Sequence, residues 1–147
     1  MGDSFNLRRF LDAQDGRDGM ATIYERALEE LRTGQKLTHW MWFVFPQLAG
    51  LGQSYMAQKF AINSLEEARA YLAHPILGPR LRACVAALNE LEGSTAHEIF
   101  GFPDDLKLQS CLTLFAHAAD DNADFLAALS KYFGGDVDEA SVRLLVD

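Results

Sequence analysis

The chain has 147 residues, of which 49% are hydrophobic and ten are Phe, so it is long and apolar enough to bury the core of one domain. Its net charge is −8, and no basic cluster breaks the acidic background, which argues against a nucleic-acid surface. The N-terminus has no apolar signal core and no stretch approaches the roughly 18 apolar residues of a membrane span. We therefore expect a soluble, acidic, cytoplasmic protein.

The apolar spacing along the chain predicts a series of helices with short joints. In chain order, the predicted helices cover residues 7–14, 20–32, 53–61, 65–73, 79–92, 95–100, 105–119, 122–133 and 139–144. Their expected caps and stops are Asn6, Gly34, Ser64 with Glu67, Pro79, Gly93, Ser94 or Thr95, Gly101, Asp104, Asn122 and Gly134. Residues 15–19 are expected to form a turn-rich loop.

Strand formers are concentrated only in residues 40–45, and a single strand there would have no partner. The sequence therefore predicts an all-α fold, a single multihelical globular domain over residues 1–147. Cys84 and Cys111 lie far apart in apolar helical patterns and in no zinc-site spacing, which indicates buried free thiols in a reducing compartment.

The most specific feature of the sequence is the aromatic block THWMWFVFPQ over residues 38–47. One interpretation is a helix at the centre of the core, because its aromatic side chains would bury a large apolar area. Its polar ends favour a site as well, since His39 and Gln47 would need hydrogen-bond partners if buried. A pocket walled by Trp40 and Trp42 would suit a flat ring or a peptide anchor, and the sequence leaves that choice open.

Two further segments have both a structural and a functional interpretation. Residues 50–54, GLGQS, are either a plain turn or a loop whose backbone N–H groups bind an anion. On the helix after Asp104, four polar residues fall on one arc of about 120°. They either line a cleft or form the solvated edge of a central helix. These four residues are Lys107, Ser110, Thr113 and His117.

Patterns for metal binding and nucleophilic catalysis are absent from the sequence. The four histidines are dispersed, and no Ser or Cys lies in a nucleophile-elbow pattern. The paired acidic residues all lie at helix starts, where the helix dipole explains them. We expect neither a metal nor a cofactor.

The aromatic block followed by GLG at residues 50–52 resembles the hallmark of the bacterial domain-of-unknown-function family 1810, some of whose members carry the label calpastatin. LEEARAYL at residues 65–72, HPILGPRL at 74–81 and PDDLKL at 103–108 resemble later parts of that family. The resemblance covers about residues 5–133 and implies a mainly helical bacterial domain without an assigned chemistry.

A second, fainter resemblance concerns Lys59, with Phe60, and Arg80 in a Gly-Pro-Arg triplet. These positions are similar to the NADAR family, which acts on ADP-ribose conjugates. That family has a glutamate seven residues before the lysine, where this chain has Gly52. If the chain is an enzyme acting on such a substrate, we expect Lys59, Arg80 and Lys107 to hold its phosphates.

Three functional hypotheses follow. The first is a module that binds a small molecule or protein in an aromatic-lined groove. The second is an enzyme acting on a nucleotide-like or ADP-ribose-like substrate, and the third is a structural homo-oligomer. The candidate ligand-binding residues are His39, Trp40, Trp42, Gln47, Lys59, Arg80, Asp104, Lys107 and Ser110.

Overall fold

The structure is a computed structural model that describes residues 3–146, except the side chains of Asp18 and Val146. These residues form ten helices and one small hairpin. In chain order they are α1 (Arg8–Gln14), β1 (Arg17–Asp18), β2 (Ala21–Thr22), α2 (Ile23–Thr33), α3 (Met41–Val44), α4 (Tyr55–Lys59), α5 (Leu65–Ala73), α6 (Leu77–Glu90), α7 (Ala96–Phe100), α8 (Asp104–Ala118), α9 (Ala123–Phe133) and α10 (Glu139–Val146). The predicted all-α single domain is confirmed.

Several helix boundaries follow from side-chain caps. The Thr22 hydroxyl accepts from the Glu25 N–H at the start of α2, and the Glu25 carboxylate accepts from the Thr22 N–H. The same helix ends at Gly34, which adopts a φ of 83°. Ser64 likewise accepts from the N–H of Glu67 at the start of α5. The Glu67 carboxylate, however, reaches past the cap to the Asn63 N–H instead of completing a capping box.

Two predicted N-terminal caps are wrong, and so is the stop predicted at Gly93, because α6 ends at Glu90 with Leu91 as its cap. Asn6 does not cap α1, because its own backbone is left-handed, with a φ of 53°. Asp3 caps that helix instead, and its carboxylate accepts from the N–H groups of Leu7 and Arg8. Asp104 is the first residue of α8 and not its cap. Its carboxylate is used in ion pairs, described below.

The hairpin of β1 and β2 begins within residues 15–19, where the sequence predicted only a turn-rich loop. Arg17 pairs with Thr22 and Asp18 with Ala21, in antiparallel register. Since Thr22 is also the cap of α2, the hairpin leads directly into that helix. Strands of two residues give no alternating pattern, so the sequence carries no signal for them.

The core is organised around α8, against which α5, α7, α9 and α10 pack. A chain of aromatic contacts crosses it from α1 to α9. Phe10 meets Tyr71 edge-on at 5.1 Å, Tyr71 lies 5.4 Å from Phe115, and Phe115 stacks on Phe125 at 6.0 Å between ring centroids. All four rings are fully buried. None of the described helices is long and apolar enough to cross a membrane.

The aromatic block lies in this core but is mostly not helical. Only Met41–Val44 forms a turn of helix, and Pro46 prevents its continuation. The block's buried side chains are Trp40, Met41, Phe43, Val44, Phe45 and Pro46. The interpretation as core is therefore confirmed for these residues, whereas Trp42 is only half-buried.

The polar residues predicted to form one arc of α8 mainly contact the C-terminal segment of the described chain. The Thr113 hydroxyl accepts from the N–H of Asp138 at 2.9 Å and donates to Gln109 O at 2.8 Å. Ser110 is buried and donates to Leu106 O within the same helix. Because α10 covers this side of α8, the central part of the arc is neither an open cleft nor a solvated edge.

Candidate functional site

The buried carboxylate of Glu30 binds the residues at the start of the aromatic block. This carboxylate accepts from the N–H of Leu37 at 2.7 Å, from both the N–H and the hydroxyl of Thr38, and from the indole Nε1 of Trp40 at 2.9 Å. Burial by itself raises the pKa of Glu30, but these hydrogen bonds outweigh it and hold the pKa below its ordinary value. Trp40 is therefore fixed by its polar edge as well as by packing.

Asp104 lies between two lysines next to the start of the aromatic block. Its Oδ2 is 3.1 Å from Lys36 Nζ and its Oδ1 is 3.5 Å from Lys107 Nζ. Lys36 also lies over the Trp40 ring and Lys107 over the Trp42 ring, at 5.1 and 5.9 Å from the ring centroids. The structure thus brings four candidate residues together, Trp40, Trp42, Asp104 and Lys107, through a lysine that the sequence did not indicate.

These four residues do not form an aromatic-lined groove. Trp40 has no exposed surface and cannot contact a ligand in this conformation. Lys36 Nζ also donates to Thr38 O at 2.7 Å, and its side chain is only 8% exposed. The cluster ties the residues before α3 to the start of α8, which is a structural role.

An enclosed recess lies at the other end of the aromatic block. There two extended segments run side by side in a parallel bridge between Leu48 and Ile62. Ile62 N–H donates to Gln47 O at 2.9 Å, and Ala49 N–H donates to Ile62 O at 2.7 Å. Together with α4 they enclose a cavity of about 200 Å³. We call this cavity the amide pocket. It is lined by Gln47, Leu48, Ala49, Gly50, Gly52, Ala57, Gln58, Ala61 and Asn63.

The backbone geometry at this pocket requires glycine at both glycine positions of the GLG segment. Gly50 adopts a φ of 97°, which other residues rarely adopt. A Cβ at Gly52 would lie 2.5 Å from the Cβ of Ala57, so only glycine lets the segment approach α4 this closely. The side chain of Leu144 in α10 packs against Gly50 from outside, 3.7 Å from the position of its missing Cβ. The segment is thus a tight turn that forms one wall of the pocket.

The lining of the amide pocket contains no ionisable side chain and no aromatic ring. Its polar side chains are the carboxamides of Gln47, Gln58 and Asn63. Gln58 Nε2 donates to Gln53 O at 2.8 Å, and Asn63 Nδ2 lies 3.3 Å from Glu67 Oε1. Gln47 is a half-buried residue, and its carboxamide makes no hydrogen bond to any residue that the structure describes.

The remaining candidate residues lie in other surroundings. His39 is exposed and lines a shallow recess with Thr38, Ile23, Arg17 and Arg26. Lys59 is exposed beside Arg9 in a recess on the outside of α1. Arg80 is bound to Asp15 at 2.9 Å and to Gln14 at 3.2 Å, and its guanidinium lies over the Tyr24 ring.

The three cations proposed to hold phosphates therefore have three different sets of neighbours. Lys59 lines the recess at α1, Arg80 is bound to Asp15, and Lys107 is bound to Asp104. No single recess found among residues 3–146 is lined by two of them. The same residues contain no group of three His, Cys, Asp or Glu side chains that could hold a metal ion.

Sequence reasoning missed Gln58 and Asn63, which share the pocket with Gln47. A parallel bridge between irregular segments leaves no periodic signal, so their proximity could not be inferred. It also missed Glu30 and Lys36, whose roles depend on how the segment before α3 folds back on α2 and α8. The one available signal was that Glu30 lies close in sequence to a run of donors at residues 37–40.

The comparisons with known proteins give the same family as the sequence motifs. The family model described as "Protein of unknown function (DUF1810)" matches residues 4–145. The structure is similar to the crystal structure of the conserved hypothetical protein Rv1873 from Mycobacterium tuberculosis, with a TM-score of 0.93 and 53% sequence identity. The similarity covers 99% of each chain. No curated protein matches. The chain therefore belongs to the DUF1810 family.

Proposed function

We propose that this protein is a binding module for a small, uncharged, polar molecule, which it holds in the amide pocket. The observation that carries this proposal is the carboxamide of Gln47. It lines an enclosed recess, belongs to a half-buried residue, and has no hydrogen-bond partner among the described residues. Ligand pockets are typically oriented by a few polar groups that the protein itself does not use, so such a group in a pocket wall favours a ligand.

The electrostatics of the pocket favour a neutral ligand. None of its lining residues carries a charge, so a charged ligand would lose hydration without gaining an opposite charge. The net charge of −8 also disfavours the approach of anions. Both arguments weigh against the phosphate-bearing substrates of the enzyme hypothesis, whose three cations are separated as described above.

The test is an NMR titration of the labelled protein with a panel of neutral polar fragments and their anionic counterparts. Saturable shifts confined to residues 47–63 are expected for neutral fragments only. The variant Gln47→Leu should weaken this binding about tenfold or more, because it removes the unpaired carboxamide. Gln35→Leu is the matched control, since Gln35 is exposed and lies outside the pocket.

Two results would overturn the proposal. One is a panel in which no neutral fragment gives saturable shifts at residues 47–63 at millimolar concentration. The other is equal weakening by Gln47→Leu and Gln35→Leu, which would mean that the binding occurs elsewhere. A thermal-shift series with the same fragments is an independent readout, because a ligand of the folded state raises the melting temperature.

A further inference from the structure

We infer that the group recognised by the amide pocket is a carboxamide, presented with its NH2 toward Gln58 and Asn63 and its carbonyl oxygen toward Gln47. This inference rests on the proposed function and specifies the chemical class of the ligand. It depends on which donors and acceptors of the pocket are already used within the protein.

The orientation of Asn63 is fixed by an acceptor that cannot donate. Glu67 Oε1 accepts from the Asn63 N–H at 3.0 Å and from Asn63 Nδ2 at 3.3 Å, and Glu67 Oε2 accepts from Arg9 at 2.7 Å. An ionised carboxylate only accepts hydrogen bonds, so Asn63 must present its NH2 to Glu67. Its Oδ1 is left without a partner among the described residues.

Gln58 is oriented in the same way by a carbonyl group. Its Nε2 donates to Gln53 O at 2.8 Å, which leaves Oε1 without a partner in the described chain. Gln58 and Asn63 are exposed residues that line the pocket, so these two side-chain oxygens are open to an incoming donor. A ligand that satisfies both must supply N–H or O–H donors.

Donors for the opposite side of the ligand come from Gln47 and the turn beside it. The Gln47 carboxamide is free to present its NH2, and its Nε2 lies 3.8 Å from the position of a Cβ on Gly52. The backbone N–H groups of Gly50 and Gly52, which line the pocket, donate no hydrogen bond within the described chain. A ligand carbonyl oxygen facing this wall would find several donors.

A carboxamide is a small neutral group that offers two N–H donors and one carbonyl acceptor in a plane. A carboxylate would place its oxygens against the oxygens of Gln58 and Asn63, and a ketone would leave both of those acceptors unpaired. An ammonium ion would lack the carboxylate partner that offsets its desolvation. Sugar rings and nucleobases commonly stack on aromatic side chains, and the lining contains none.

The size of the cavity agrees with recognition of a single group. Its volume of about 200 Å³ is below the 300–1,000 Å³ of typical sites for drug-sized ligands. The carboxamide can therefore belong to a small free molecule or to a Gln or Asn side chain that is inserted from a peptide. Both sources present the same chemistry to the pocket.

The decisive experiment is an NMR titration with four compounds that share one phenyl ring: benzamide, benzoate, acetophenone and benzylamine. Benzamide should bind about tenfold or more tightly than each of the others. A blocked Ala-Gln-Ala peptide is titrated in parallel, and binding of either carboxamide at residues 47–63 supports the inference. Which of the two binds more tightly tells whether the source is a free molecule or a side chain.

The variant Gln58→Met removes one acceptor from an exposed side chain, so the fold should be retained. It should narrow the preference for benzamide over acetophenone, whereas Gln35→Met should leave that preference unchanged. If acetophenone binds as well as benzamide, the carboxamide inference is overturned while the neutral-ligand pocket stands. If benzoate binds as well as benzamide, both the carboxamide inference and the preference for neutral ligands are overturned. If no neutral compound binds at residues 47–63, the proposed function fails with it.

Discussion

Arg9 and Glu67 are 58 residues apart in the chain and are joined by a 2.7 Å ion pair between side chains that are 12% and 2% exposed. The other N–H groups of the Arg9 guanidinium donate to backbone carbonyl oxygens. These acceptors are Lys59 O, Phe5 O, Asn6 O and Ala61 O, at 2.7–2.8 Å. All five donors of Arg9 are thus used, and one side chain joins α1 to both the end of α4 and the start of α5.

Replacement of Arg9 by Met should therefore be strongly destabilising. It leaves the buried Glu67 carboxylate without its cation, which typically costs about 3–5 kcal/mol. Arg8→Met is the matched control, because Arg8 is 78% exposed and pairs only with the exposed Asp12. Urea denaturation measures both. A loss for Arg9→Met no larger than that for Arg8→Met would contradict the assigned role.

The substitution Glu30→Gln should lower stability at neutral pH and make it less sensitive to acid. The hydrogen bonds from Leu37, Thr38 and Trp40 to a charged acceptor support about 1.5–3 kcal/mol of stability. Because the folded state holds the pKa of Glu30 below its ordinary value of 4.5, this contribution is present above that value. It is lost as the pH falls through the lower folded-state pKa.

The difference in the free energy of unfolding between the native protein and Glu30→Gln should therefore stay constant from pH 7 to about 4.5 and shrink as the pH is lowered further. Denaturant titrations at several pH values measure it. Glu29→Gln is the control, since Glu29 is an exposed neighbour on the same helix. A difference that stays constant with pH would show that the effect of Glu30 is not electrostatic.

The two tryptophans should respond differently to truncation. Trp40→Ala leaves a cavity in the core and frees the Glu30 carboxylate, and large-to-small changes of this kind cost about 3–5 kcal/mol. Trp42→Ala should cost clearly less, because Trp42 is half-buried and packs in part beneath Lys107. Circular dichroism during chemical denaturation distinguishes them. Equal losses would mean that Trp42 is as much a core residue as Trp40.

The thiols should be unreactive in the native state. Burial raises the pKa of Cys84 to about 12 and holds that of Cys111 well above its ordinary value. Since the thiolate is the reactive form, an aromatic disulfide reagent at about pH 8 should label neither until denaturant is added. The raised pKa values also mean that stability falls as the pH rises from 9 toward 12. Rapid labelling of the native protein would contradict this burial.

The sequence was sufficient for elements whose determinants are local. The cap at Thr95, the stop at Gly34 and the placement of Pro79 in the first turn of α6 all agree with the structure. Each depends on residues within one turn of the boundary. The cap predicted at Asp104 failed because a group from another part of the chain, Lys36, binds its carboxylate.

The sequence predicts only part of the candidate pocket. It indicates Gln47, because a polar residue directly after a buried aromatic run needs a hydrogen-bond partner. The other two carboxamides of the pocket, those of Gln58 and Asn63, share it with Gln47 because the bridge between Leu48 and Ile62 brings the two segments together. Such pairings are set by the whole fold, so no local pattern contains them.

The contact between Leu144 and Gly50 has a consequence for motion. Because α10 is anchored on α8 through Asp138 and Thr113, the outer wall of the amide pocket is braced by the last helix of the described chain. Local unfolding of α10 would release the turn at residues 50–52. The hydrogen-bonded amides of Ala49 and Ile62 beside this turn should then exchange with solvent at the same rate as those of α10, as one cooperative unit.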